Sequence, residues 1–471
     1  MTYTTAPSCT PSGNRFNVVV EPFLRGPGLP FAEALSGQAI EQAFAERGGL
    51  FGQEDIFSRQ VVLWAFLAQV LRDGKGTACA SAVADIAAYM QQTAGPVPSG
   101  DTGDYCRARA KLDLGALRRL VGQAAGQLDQ KAPSDWLWHG RRAKLVDGFT
   151  FTMPDTAANQ REFPQAKTQK PGVGLPIARA CAVLSLATAA IHDLAIGPYE
   201  GKQTGENALL REILDCLAKG EVVVFDRYFC SFMMLALLKL RGVEACTRLH
   251  QCRPSDFRRG RRLGNHDHLV TWKRPKRPEW MSEELYAQVP QTMPLRELKF
   301  NVLVPGRRTR TITVITTLTD PAAYPKEDIA ALFGCRWNAE LDIRAIKQTL
   351  GLDHVRCKSP EMVRRELWVT LLAYNLIRGL IATAAAAHGK QPRQLGFTLA
   401  CQTVLSSWML LSTGACRDAR GLWRLTLERI AANAVADRPG RIEPRVLKRR
   451  RHRYPLMTRP RQQLRKELCV T

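Results

Sequence analysis

Residues 221–229, EVVVFDRYF, place four consecutive apolar side chains directly before an aspartate. A run that is apolar on both faces is typical of a central strand covered by helices on both sides. Upstream, TGENALLREILDCLAKG (204–220) predicts a helix with Thr204 as its N-cap and Gly220 as its C-terminal stop. Strands, a crossover helix and a buried strand in this order predict an α/β core.

Further strands are predicted upstream of this run. AKLVDGFTFTM (143–153) alternates as a strand does, and IARACAVLSLATAAIHDLAIG (177–197) is long enough for two strands. Asp147 interrupts the first strand, and Asp226 ends the strand of the opening stretch. A carboxylate is costly to bury unless it is paired or bound to metal. Each aspartate taken singly could equally cap a turn or accept backbone hydrogen bonds.

The rest of the chain is predicted to divide around this core. Residues 1–140 form a mostly helical N-terminal region, for which DNA binding and a merely solvated basic face are both open interpretations. Residues 141–360 hold the core, and 245–320 form a β-rich basic insertion with a hairpin turn at 305–306. Residues 361–471 form a helical C-terminal region that ends in a polybasic tail.

The charge of the chain favours a polyanionic partner. Its 471 residues carry a formal net charge of +24, and nucleic acid is the first candidate because phosphate neutralisation drives non-specific binding. An acidic membrane surface is the second candidate. The longest apolar stretches are interrupted by charged residues, which favours core elements over membrane spans. The N-terminal segment lacks the order of a signal peptide, so we expect a cytoplasmic, nucleoid-associated protein.

The thirteen cysteines are scattered, which is typical of a reducing compartment. One group of side chains is compatible with zinc: His250, Cys252, His266 and His268. Its spacing does not match the usual zinc-finger pattern. Zinc binding therefore stays an open alternative at this point.

LFGCRWNAELDIRAIKQTLG (332–351) predicts one helix with a line of charged residues. At about 100° per residue, one face carries Phe333, Arg336, Glu340, Arg344 and Lys347. A separate apolar stripe is predicted to pack on the core: Leu332, Ala339, Ile343, Ile346 and Leu350. A solvated face would gain only about 0.3–0.5 kcal/mol per ion pair. A metal site that faces phosphate groups explains one acid among several bases better than a solvated face does.

The order of strand aspartate, strand aspartate and helix glutamate, with F-x2-R-x3-E-x6-K on the helix, strongly resembles the DDE transposases of bacterial insertion sequences. The resemblance is in particular to the subgroup marked by Tyr-x2-Arg-x3-Glu-x6-Lys, and it covers roughly residues 140–380. It implies a ribonuclease H-like mixed sheet as the catalytic domain. It also implies that Asp147, Asp226 and Glu340 are catalytic and hold two Mg²⁺ ions, with Mn²⁺ as a substitute.

The resemblance further implies contacts to DNA. Arg336 and Lys347 match the family's basic positions, and Arg344, Phe333 and Arg227 are the other candidate DNA contacts. Phe333 stands where the family pattern has tyrosine, and a phenyl ring cannot donate a hydrogen bond to phosphate.

The implied activity is to cut double-stranded DNA at the ends of an insertion sequence and to join the 3′-OH ends to target DNA by two-metal-ion phosphoryl transfer. Because two ends must be cut together, a homodimer on synapsed DNA ends is expected, with no membrane partner. Two alternatives stay open: a catalytically silent or domesticated DNA-binding protein, and another ribonuclease H-like nuclease.

Overall fold

The computed structural model describes residues 35, 40, 42–45, 51, 56–92, 95–302, 310–412, 418–435 and 456–469. Its N-terminal part contains the helices α1 (Arg59–Leu71), α2 (Cys79–Gln92), α3 (Gly103–Ala110) and α4 (Leu114–Gln130). Side-chain caps fix where two of them begin. Ser58 accepts a hydrogen bond from the Val61 amide at the start of α1, and Asp113 accepts one from the Ala116 amide at the start of α4.

A long run of alternating strands and helices follows. In chain order it comprises β1 (Ala143–Thr152), α5 (Ala157–Glu162), β2 (Ile177–Ser185), β3 (Ile191–Pro198), α6 (Glu206–Glu212), β4 (Val222–Phe225), α7 (Phe232–Leu240), β5 (Glu244–Arg248), β6 (Arg261–Gly264), β7 (Asp267–Lys273), α8 (Glu283–Gln288), β8 (Thr292–Val302) and β9 (Arg310–Thr316). The chain then continues through α9 (Lys326–Gly334), α10 (Trp337–Thr349), α11 (Pro360–Ala387), α12 (Phe397–Ser412), α13 (Ala419–Ala432) and α14 (Arg461–Cys469).

The nine strands form one mixed sheet in the order β3-β2-β1-β4-β5-β9-β8-β7-β6. Strand β1 is antiparallel to β2 and parallel to β4, which is in turn parallel to β5. Strands β6–β9 extend the same sheet through antiparallel pairs. The predicted α/β fold class, a mixed sheet core with a β-rich insertion and helical flanking regions, is confirmed. The predicted hairpin turn at 305–306 lies outside the described residues.

Strand β4 has the two apolar faces that its sequence predicts. On one face, Val222 and Val224 join a core that is shared with α1, α4, α10 and α11. On the other face, Val223 and Phe225 join a second core that is built with α6 and α7. The strand is therefore buried on both sides, and a side chain at its carboxyl end lies at the edge of a dry interior.

The crossover helix is shorter than predicted. Helix α6 stops at Glu212, and residues 214–216 form a separate 3-10 turn. Gly205, not Thr204, is the N-cap, because the Thr204 hydroxyl donates to the Gly201 carbonyl instead. Gly220 lies in a turn directly before β4, with a φ of +89° that favours glycine.

The predicted single helix at 332–351 is two helices, and this part of the prediction was wrong. Helix α9 ends at Gly334, and α10 begins at Trp337 after a turn at Cys335 and Arg336. The break turns Phe333 into the core, where only 7% of it is exposed. The predicted apolar stripe is buried as expected, from Leu332 to Leu350.

Helix α11 is a core helix. It is long and apolar enough to cross a membrane, but 83% of its most apolar window is buried within the protein. Asn375 in its middle ties it to the sheet, since its Oδ1 accepts from the Ile191 amide at 2.8 Å and its Nδ2 donates to the Ile191 carbonyl at 2.9 Å. The same Nδ2 donates to the Val121 carbonyl of α4 at 3.1 Å. The helix thus binds the N-terminal helices to the sheet.

A buried ion cluster fixes helix α10 against the C-terminal helices. Asp342 Oδ1 accepts from Arg378 Nη2 at 2.9 Å, and its Oδ2 accepts from Arg393 Nη1 at 2.6 Å. Asp342 and Arg378 are almost completely buried. Removing one member of such a cluster leaves the remaining charges buried without compensation.

We predict that Asp342→Asn lowers the free energy of unfolding by about 3–5 kcal/mol. Urea unfolding followed by circular dichroism measures the shift in midpoint. The matched control is Asp215→Asn, which breaks an exposed pair with Arg241 and should cost less than about 1 kcal/mol. Equal effects of the two substitutions would contradict the role of Asp342 as the anchor of α10.

Candidate active site

The register of two parallel strands brings Asp147 and Asp226 together. Leu145 of β1 pairs with Val224 of β4, and each aspartate lies two residues further along its strand. Neighbouring strands are about 4.8 Å apart, and residues at the same level of a parallel pair point to the same face. The two carboxylates therefore start side by side, on the face that α10 covers.

Arg336 connects the first aspartate to the helix glutamate. Its Nη1 lies 3.8 Å from Asp147 Oδ2, and its Nη2 donates to Glu340 Oε1 at 2.9 Å. Arg336 is the N-cap residue of α10, and Glu340 lies in the first turn, where the helix dipole favours negative charge. The structure thus places all three predicted acids at one edge of the sheet.

The backbone also contributes to the site. Asp147 Oδ1 accepts from the Gly148 amide at 2.9 Å, and Asp226 Oδ1 accepts from the Arg227 amide at 2.7 Å. One carboxylate oxygen of each aspartate therefore accepts a hydrogen bond from the following peptide, and the other oxygen can contact a different partner.

Burial dominates the electrostatics of Asp147. It raises the pKa of this carboxyl to about 6, although the hydrogen bond from Gly148 and the charge of Arg336 act in the opposite direction. Repulsion from Glu340 and Glu206 adds to the increase. A buried carboxylate with incomplete compensation is a site that a cation would stabilise.

Glu206 was missed by the sequence analysis, which treated it only as a residue of the crossover helix. Its carboxyl lies against Gly148: a β-carbon built on that glycine would lie 2.2 Å from Glu206 Cδ. Burial raises the pKa of Glu206, Arg179 lowers it, and the negative charge of Asp226 raises it further. The sequence signal was the glycine after Asp147, which leaves room for a neighbour, but the sequence does not say which neighbour.

The three acids have the right chemistry to bind a divalent cation, but their side chains are not arranged around a common point. Carboxylate oxygens are the ligands that Mg²⁺ prefers. In the described part of the chain, however, no group of three His, Cys, Asp or Glu side chains is arranged to hold a metal ion. Arg336 accounts for this at Glu340, whose Oε1 it engages. Because the Glu340 side chain is about one third exposed, a rotamer change can free it.

The candidate DNA contacts lie in different environments. Arg344 is exposed on α10, and Arg227 is partly exposed beside Asp226. Lys347 pairs with Asp353 at 2.9 Å. Arg336 lies between the acids, and the buried ring of Phe333 is not available to a ligand.

The residues considered for zinc do not form a site in this arrangement. Both ring nitrogens of His268 are used, Nδ1 with the Arg259 carbonyl at 2.6 Å and Nε2 with Glu297 at 3.2 Å. The ring also stacks on Phe257. His268 therefore offers no ligand atom to zinc.

Comparison with known proteins identifies the family. The family model described as transposase DDE domain matches residues 138–376, just over half of the chain, and this range includes Asp147, Asp226 and Glu340. The chain belongs to this family. The DDE-domain transposases cut and join DNA, so the protein is a DNA endonuclease and strand transferase of the kind that works with divalent metal ions.

One curated relative is similar over nearly its whole length. It is the transposase InsG for insertion sequence element IS4 of Escherichia coli (strain K12), 26% identical over 440 residues, which covers 92% of this chain and 94% of the relative. Among solved structures, the piggyBac transposase synaptic complex with hairpin DNA matches with a TM-score of 0.42 and 10% identity, over 90% of this chain and 86% of that one.

We predict that Asp147→Asn stabilises the metal-free protein at neutral pH. The folded pKa of about 6 lies above the ordinary value of 3.8, so the stability that the protonated carboxyl contributes is complete below about pH 4 and is lost as pH rises through 6. The melting temperatures of the variant and the wild type should agree near pH 4 and diverge by pH 7, equivalent to about 1–3 kcal/mol. A difference that does not depend on pH would contradict the buried, poorly compensated carboxylate.

Proposed function

We propose that this transposase cuts DNA at the ends of an insertion sequence and joins the released 3′-OH ends to target DNA. In this proposal, Asp147, Asp226 and Glu340 hold two Mg²⁺ ions, for which Mn²⁺ can substitute. The observation that carries the proposal is the register of β1 and β4, which sets two aspartates side by side on the face where α10 presents a glutamate. Ions bound there would lower the pKa of the attacking water and neutralise charge on the scissile phosphate.

Arg336 would have a different role once the acids bind metal ions. In the metal-free protein its guanidinium is held by Asp147 and Glu340. Once those carboxylates are engaged elsewhere, the guanidinium is free to make charge-assisted hydrogen bonds to a strand phosphate. It would then hold the DNA next to the acids, and hence position the bond that is cut.

Arg344 and Lys347 extend the basic surface along α10. Arg344 projects into solvent, and Lys347 needs only to give up a pair with the exposed Asp353. Such surface pairs are worth about 0–1 kcal/mol, so phosphate can displace them. Arg227, beside Asp226, is the fourth proposed contact, whereas the buried position of Phe333 removes it from the set.

The organisation around the site completes the proposal. We assign residues 1–140 to end recognition, 141–360 with the insertion at 245–320 to catalysis, and 361–471 to a helical C-terminal region. Because the described part of the chain carries one such site and two element ends must be cut, the working unit is a homodimer on synapsed ends. The net charge of +24 fits a protein held on DNA in the cytoplasm.

We predict that Glu340→Gln removes metal-dependent cleavage of DNA that carries the element ends and leaves DNA binding nearly intact. Losing a metal ligand should lower the cleavage rate by more than about 100-fold, since outer partners of a metal site already contribute about 10–100-fold. Nicking assays with Mg²⁺ and with Mn²⁺ measure the rate, and gel-shift titrations measure binding. Glu327→Gln, an exposed glutamate on α9, is the control and should cleave as the wild type does. Cleavage by Glu340→Gln at the wild-type rate would refute the assignment.

We predict that Arg344→Gln weakens DNA binding at low salt and flattens its salt dependence. Each phosphate contact contributes about 0.9 to the slope of log affinity against log salt, so the slope should fall by about one. The control is Arg241→Gln, because Arg241 precedes β5 and lies at the sheet edge opposite to Asp226. An unchanged slope for Arg344→Gln, or an equal change for both variants, would exclude α10 as the DNA-facing helix.

A further inference from the structure

We infer that Glu206 is a fourth acidic residue of the active site, which presents its carboxylate to the divalent cations or to the water molecules that they hold. The inference rests on the proposed function, because it needs a cation at Asp147 and Asp226. It goes beyond the three acids of the motif, since Glu206 lies on the crossover helix between β3 and β4.

The contact with Gly148 is the first observation. Gly148 follows Asp147 on β1 and pairs with Cys181 of β2, within the sheet. Its missing side chain leaves a gap, and the end of the Glu206 side chain occupies this gap, 2.2 Å from where a β-carbon would be. Since side chains alternate along a strand, this gap opens on the face opposite to Asp147. Glu206 thus approaches the peptide next to Asp147 from the other side of the sheet.

The charge around Glu206 is the second observation. Glu206 interacts unfavourably with Asp147 and with Asp226, the two aspartates of neighbouring strands. No basic side chain in the described part of the chain forms an ion pair with it within 4.0 Å, and Arg179 acts on it only from a distance. Of these three partly buried acids, Asp147 has a basic partner within ion-pair distance, Arg336 at 3.8 Å, and the remaining repulsion among the three costs stability. A divalent cation removes this penalty.

The attachment of α6 to the Asp226 turn is the third observation. Asn207 Nδ2 donates to the Tyr228 carbonyl at 2.7 Å, two residues after Asp226. The Tyr228 hydroxyl oxygen lies only 3.1 Å from where a β-carbon on Gly205 would be. Asn207 Oδ1 is buried and has no hydrogen-bond partner among the described residues. The start of α6 is therefore fixed relative to Asp226, and the residue that follows Glu206 in sequence carries an unsatisfied oxygen.

A role in starting the helix does not account for this position. A glutamate in a first turn is stabilised by the helix dipole, and this stabilisation is available to a glutamate that points into solvent. Glu206 instead lies partly buried against the sheet, where other acids oppose its charge. The two roles can be distinguished by measurement, because substituting Glu206 should weaken metal binding only if Glu206 belongs to the site.

The test compares Mn²⁺ binding by the full-length wild type, Glu206→Gln and Glu212→Gln, without DNA. Glu212 ends the same helix and is exposed, so its substitution removes the same charge from α6 away from the site. Paramagnetic resonance of free Mn²⁺ measures the affinity, and metal-free melting curves confirm that each variant folds. We expect Glu206→Gln to bind Mn²⁺ about 10-fold more weakly or worse, with a melting temperature equal to or above that of the wild type. Glu212→Gln should match the wild type in both measurements.

A second variant keeps the inference falsifiable if Glu206→Gln perturbs the fold. Gly148→Ala forces the flexible end of Glu206 away from β1. If Gly148 acts by seating Glu206, the double variant Gly148→Ala/Glu206→Gln should bind Mn²⁺ no more weakly than the weaker single variant. Fully additive losses would overturn the inference.

Asp147→Asn separates failure of the inference from failure of the proposed function. If Asp147→Asn loses Mn²⁺ binding and Glu206→Gln retains it, Glu206 has no part in the site and the proposed function stands. If neither variant changes Mn²⁺ binding, the metal site itself is refuted and the inference falls with it.

Discussion

Negative charge held at the edge of a buried sheet is the constraint on which this structure depends. Strands β1 and β4 are covered on both faces, and their register sets Asp147 and Asp226 next to each other where the covered region ends. Glu340 adds a third charge, and Arg336 is the base that reaches both Asp147 and Glu340. Bringing these carboxylates together costs stability. The surrounding elements must therefore hold them in place against their mutual repulsion.

Helix α10 shows how the fold does this. Glu340 and Asp342 are two residues apart and so lie on different sides of the helix. Asp342 is buried between Arg378 and Arg393, and the apolar stripe through Ile343 packs on the sheet. The buried pair fixes the rotation of α10, and that rotation turns Arg336 and Glu340, one helical turn apart, towards Asp147. The buried ion cluster around Asp342 thus holds α10 in the orientation that brings Glu340 to the mutually repelling acids at the edge of the sheet.

Much of this arrangement follows from sequence, and the exceptions have physical reasons. The apolar run of β4 and the alternation of β1 predicted both strands and both aspartates, because those patterns are local. The break between α9 and α10 was missed because helical periodicity continues across Gly334, while the burial of Phe333 is decided by tertiary packing. Glu206 was missed because its proximity to the site depends on its contact with Gly148, which is distant in sequence. The register that places Asp147 next to Asp226 likewise depends on how the two strands pair. The sequence pattern of either strand alone does not reveal it.

Protons and cations compete for the same carboxylates at this edge. The side chains have two ways of their own to reduce the repulsion: Arg336 can lie between Asp147 and Glu340, or a carboxyl can keep its proton. The structure uses the first, and the pKa of about 6 at Asp147 shows that the second is close to operating at neutral pH. A divalent cation bound by these acids would replace both, because it would bring more charge than one guanidinium and would bond directly to carboxylate oxygen. In the proposed function, a bound cation would free Arg336 for a hydrogen bond to a DNA phosphate. In the proposed function, the same repulsion between carboxylates that costs stability would therefore couple the acids to the basic residue that holds the DNA.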